Sequence, residues 1–78
     1  MTELEIRCAL ALDPENIFYF PNSSAKRFAQ NMAFAAKSAP KRQLSAEQSK
    51  FLLNLTVNRA ASVEDAQLVA DAKEVLAE

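Results

Sequence analysis

Not one of the 78 residues is glycine. Two-residue β-hairpin loops of type I′ and II′ need positive φ, and glycine is the residue that supplies it without steric cost. A chain lacking it loses its best hairpin turns and its best helix C-caps together. It is also rich in Ala, Leu, Glu, Lys and Gln, all good helix formers. The expected fold class is therefore all-α: one small domain, with no room for a second.

The stretch that organises this expectation is Ser45–Ala60. On a helical wheel its apolar residues Phe51, Leu52, Leu53, Leu55 and Val57 occupy most of the circumference. Only Glu47, Lys50, Asn54 and Asn58 form a continuous polar strip. A helix apolar on so many sides belongs inside a bundle. Leu53 and Leu55 are accordingly expected to contribute more to stability than Leu68. Leu44 precedes Ser45, and Ser45 with Gln48 makes a capping box.

Around that centre the pattern predicts helices over about 24–38 and 63–77. In the first, Ser23 or Ser24 is the cap, and Phe28, Met32, Ala25, Ala29, Ala35 and Ala36 share a face. Pro40 stops it. In the last, Ser62 with Asp65 marks the start, and Leu68, Val69, Ala72, Val75 and Leu76 share a face. Residues 2–12 fit two periods. Thr2 with Glu5 is a capping box, whereas Leu4, Ile6, Cys8, Leu10 and Leu12 alternate as in a half-buried strand. Helix is preferred; the alternative is a hairpin through Asp13–Asn16 into Ile17–Phe20, which would make the domain α+β. Asp13-Pro14-Glu15 also has the form of a capped helical turn.

Small domains often depend on metals, disulfides or self-association. This chain has no histidine and a single cysteine, Cys8. It therefore lacks the usual general base, the usual zinc ligands and an internal disulfide. It also lacks any glycine-rich phosphate loop. No catalytic residues, cofactor or metal are expected, and the protein is read as non-enzymatic. Asp65, Asp71 and Glu74 read as a solvated face, and Cys8 as a small core residue. The acidic start and the lack of a long apolar run point to a soluble, cytoplasmic chain.

Charge is segregated although the net is only −1. Residues 1–20 carry −3, residues 21–61 carry +6, and residues 62–78 carry −4. The basic middle either attracts a polyanion or is neutralised by acidic ends folding back onto it. The second reading is the simpler one.

Phe34 departs from its helix's pattern. It falls nearly opposite Phe28 and Met32, near Arg27, Gln30 and Lys37. In so small a domain, Phe18-Tyr19-Phe20 is the expected cover for it. If it is open, Phe34 with Arg27, Lys37, Lys41 and Arg42 would form a partner-binding site. It would then serve as a buried anchor for a protein or a stacking platform for a base.

Over Arg27–Arg59, a phenylalanine-led helix, a basic proline-containing link, the run Leu44-Ser45-x-x-Gln48 and a leucine-rich helix follow one another. This order resembles small helical accessory proteins of bacteria and bacteriophages. The resemblance covers under half the chain and implies an accessory role, without an activity or a site. The leading functional expectation is a small accessory or regulatory protein that binds a partner protein, with homo-oligomerisation open. The alternative is nucleic-acid binding through the basic segment 26–59. The six-residue link is long for a helix-turn-helix, and the following helix is too apolar to be an exposed recognition helix.

Overall fold

The computed structural model describes residues 1–78 as four helices without strands: α1 Glu3–Ala11, α2 Ser24–Ser38, α3 Ala46–Asn58 and α4 Ala66–Ala77. The molecule measures 33 × 28 × 19 Å. No helix is long and apolar enough to cross a membrane.

The capping box resolves the ambiguity at residues 2–12. Thr2 Oγ1 accepts from the Glu5 amide at 3.1 Å, and Glu5 Oε1 accepts from the Thr2 amide at 2.6 Å. Two first-turn donors are satisfied at once, so the alternating apolar residues wind into α1 instead of extending. Beyond Leu12 the chain turns: the Asp13 carbonyl accepts from the Asn16 and Ile17 amides, and Asp13 Oδ1 accepts from the Glu15 amide. That is the capped turn written in Asp13-Pro14-Glu15, and it replaces the hairpin.

Helix α2 is capped by Ser23 and α3 by Ser45, the latter with the reciprocal Gln48 bond. Asn22, with φ of 64°, is the one residue in the left-handed region. Asparagine tolerates that conformation best after glycine, which this chain lacks. The last helix begins later than its sequence pattern predicts. The Ser62 and Val63 amides bond the Arg59 carbonyl in a turn that closes α3. Asp65 then caps α4, accepting from the Gln67 and Leu68 amides.

Helix α3 is touched from several sides, as its wheel predicts, and the short helix α1 shares that central place. Helix α1 packs against α2, α3 and α4, whereas α3 packs mainly on α4 and α1. The reason is size. Cys8 and Ala9 of α1 are fully buried and small, which lets three neighbours approach one short helix. The polar strip of α3 faces outward as expected, but Phe51 sits at its edge, 47% exposed. Phe51 meets Phe28 of α2 with ring centroids 4.5 Å apart. Leu12, Leu52 and Leu68 fill the interior beside Cys8 and Thr56. The Thr56 hydroxyl donates to the Leu52 carbonyl at 3.0 Å, so this buried polar group is satisfied within its own helix.

Candidate functional site

Phe34 is open. It is 71% exposed, and the Phe18-Tyr19-Phe20 segment does not cover it. That segment alternates instead. Ile17 and Tyr19 are buried, while Phe18 and Phe20 are 73% and 72% exposed. Tyr19 decides the alternation. Its hydroxyl donates to the Leu12 carbonyl at 2.7 Å, and the Arg59 guanidinium lies 5.0 Å from its ring centroid. With Tyr19 drawn inward, its two neighbours must point outward. Their rings pack edge-to-face at 5.8 Å, a favourable aromatic geometry.

The five residues singled out from the sequence do not form one patch. Phe34 and Lys37 share a shallow cleft of about 270 Å³ with Gln30, Ala33 and the Asp13-Pro14-Glu15 turn. Acids therefore stand beside Phe34, not a ring of cations. Lys37 Nζ donates to Asp13 Oδ2 at 2.8 Å, which fastens α2 to the turn after α1. Lys41 lines a different cleft, with Thr2, Glu5, Leu44 and Ser49. Arg42 and Arg27 are exposed, and neither is in an ion pair. The Met1 amino group donates to the carbonyls of Pro40 and Arg42.

Charge complementation is also narrower than the segregated sequence implies. Of the seven cations in residues 21–61, Lys37 alone forms an ion pair. The other pairs join the two acidic ends: Arg7 of α1 bridges Asp65 at 3.2 Å and Asp71 at 3.6 Å. Asp65 and Asp71 thus tie α4 to α1, and Gln67 Nε2 donates to Asp71 Oδ1 at 2.8 Å. Cys8 is fully buried, and burial pushes its thiol above the usual range. It is a packing residue.

Phe18 and Phe20 are exposed aromatics that sequence reasoning missed, having assigned them as cover for Phe34. The available signal was the two-residue period of Ile17-Phe18-Tyr19-Phe20, which leaves only alternate residues free to face the core.

Asp13 and Glu5, with the exposed Asp65 that the Leu68 amide and Arg7 hold low, make the fold sensitive to acid. The Glu15 amide and then Lys37 hold Asp13 below the usual carboxylate range. Burial alone would raise Glu5, but hydrogen bonds from Ser49 and Thr2 outweigh it and leave Glu5 lowered as well. A depressed native value means that protons favour the unfolded chain. These contributions are complete above about pH 5 and drain away below about pH 4. Urea melts between pH 7 and pH 3 should show this loss, and Asp13→Asn should flatten it. Unchanged stability down to pH 3 would contradict these assignments.

No protein-family model, curated protein or solved structure matches this chain.

Proposed function

We propose that the protein is a small, non-enzymatic accessory or regulatory protein of the cytoplasm that acts by binding a partner protein. The observation that carries this reading is the exposure of Phe18, Phe20 and Phe34, each above 70%. Aromatic rings left in water on a domain this small are surplus to its own core, and aromatic anchors dominate protein interfaces. The resemblance of Arg27–Arg59 to bacterial and phage accessory proteins points the same way. Binding is supported by two exposed aromatic features, Phe34 beside Lys37 and the Phe18–Phe20 pair. Arg27, Lys41 and Arg42 lie outside the cleft that Phe34 lines and contribute only as peripheral charges.

A second reading, nucleic-acid binding through residues 26–59, is favoured by the six cations there that have no carboxylate partner. Capture from the native host, with and without nuclease, separates the two when read on variants. For a protein partner, Phe34→Ala or Phe18→Ala/Phe20→Ala should weaken capture by about tenfold or more. The triple alanine change at Arg27, Lys41 and Arg42 should cost less, because rim charges contribute little. Titration with DNA and RNA gives the opposite pattern if phosphate is the target. Affinity on duplex DNA would fall by roughly 0.9 logarithmic units per neutralised phosphate for each tenfold rise in salt. Tight, salt-sensitive binding lost only in the triple variant would replace the first reading with the second.

A further inference from the structure

We infer that the exposed Phe18–Phe20 pair of one copy docks into the cleft between α1 and α4 of a second copy, joining copies head to tail. This rests on the partner-binding reading and names the chain itself as a partner.

Both halves of the contact are present on one molecule. The donor half is the edge-to-face pair of phenylalanines, whose rings stand clear of the surface. The Ser23 amide donates to the Phe20 carbonyl at 3.2 Å, so the start of α2 lies beside them. That start carries Lys26 and Arg27 and has no acid in its first turn. Neither cation is in an ion pair. No Asp or Glu occurs between Glu15 and Glu47, so the chain from the phenylalanines through α2 carries cations alone.

The acceptor half has the opposite character. Glu3, Leu4 and Arg7 of α1 face Asp71, Glu74 and Val75 of α4 across a cleft of about 400 Å³. Volumes of this order hold small ligands. Leu4, half-buried, and Val75, 43% exposed, are its two apolar residues; the rest of the lining, Glu78 included, is charged. Arg7 is its one cation, and Asp65 and Asp71 already occupy it. Glu3 and Glu74 therefore remain free to meet Lys26 and Arg27. Exposed aromatic rings beside unpaired cations, and a mostly charged cleft with unpaired carboxylates, are complementary in charge.

The acceptor residues belong to α1 and α4 and the donor residues to the segment before α2 and the start of α2, so the two halves share no residue. Such a contact is heterologous, and unless it closes into a ring it extends. The patch is small beside the ~800 Å² per partner of a stable interface, so association is weak and depends on concentration.

Sedimentation velocity on nuclease-treated protein from about 20 to 500 µM, at about 50 and 500 mM salt, tests this. The mean mass should rise with concentration at low salt and fall back at high salt. Phe18→Ser/Phe20→Ser should be monomeric, and so should Glu74→Lys/Val75→Lys. An equimolar mixture of the two should form a 1:1 dimer and stop there, because each supplies the half that the other lacks. A misfolded variant could not complement in this way. Wild-type protein that stays monomeric throughout, association that survives both variants, or a mixture that stays monomeric would overturn the inference. If wild type is monomeric but a foreign protein is still captured through the phenylalanines, the partner-binding reading stands and self-association falls.

Discussion

Leu52→Ala should destabilise the domain by about 2–5 kcal/mol in urea melts. Leu52 is fully buried in α3, amid the packing of α3 against α1 and α4. Truncation removes apolar contacts and leaves a cavity that three short helices cannot collapse. A domain of this size holds about 4–12 kcal/mol in total, so the change takes a large share of it. Leu12→Ala belongs to the same class. So does Leu68→Ala, since Leu68 is only 2% exposed. The sequence-based expectation that Leu53 and Leu55 outweigh Leu68 does not follow from this packing, because all three are buried. Leu10, on the outer side of α1, should cost under about 1 kcal/mol when truncated. Similar losses at Leu52 and Leu10 would contradict the described core.

Tyr19→Ala should cost about 3–5 kcal/mol, near the value for other buried aromatics, and should also disturb binding. Tyr19 is buried, and burial pushes its phenol above the usual range, so the hydroxyl stays a donor to Leu12 at neutral pH. Tyr19→Phe should lose only that hydrogen bond, about 0.5–1.5 kcal/mol. Arg59→Ala should remove a cation–π contact of about 0.5–1 kcal/mol. The binding effect follows from geometry. Tyr19 is the inward anchor that forces Phe18 and Phe20 outward, so Tyr19→Ala frees the segment while leaving both phenylalanines in place. Capture or self-association should fall in Tyr19→Ala and persist in Tyr19→Phe. Equal behaviour of the two variants would show that Tyr19 does not position the pair.

The candidate surface was partly legible in the sequence, and the reasons differ from residue to residue. Phe34 stood out because a 15-residue helix has a readable period, and an aromatic opposite its apolar face has few places to go. Its surroundings were not readable. The Asp13-Pro14-Glu15 turn lies beside it only because α1 and α2 pack together, and that packing commits Lys37 to Asp13. Lys37, Lys41 and Arg42 are near neighbours in sequence, yet the chain leaves the helix at Ala39 and Lys41 comes to line another cleft. The exposure of Phe18 and Phe20 accompanies the burial of Tyr19 between them, against core residues and the Leu12 carbonyl seven residues away.

Local chemistry alone determined the helices. Thr2 with Glu5, Ser23, and Ser45 with Gln48 each satisfy amides within one turn of themselves, so their effect can be read without knowing the fold. The absence of glycine acted in the same local way, by withholding hairpin turns. The start of α4 shows where locality ends: Ser62 and Asp65 are both competent caps. The choice fell to Asp65 because the Arg59 carbonyl takes the Ser62 and Val63 amides while Arg7 of α1 holds the Asp65 carboxylate. The same holds for the centre of the bundle. Periodicity reports how much of a helix is apolar, which made α3 look central. That α1 also packs on all three other helices depends on how closely backbones approach, which its small buried residues Cys8 and Ala9 allow.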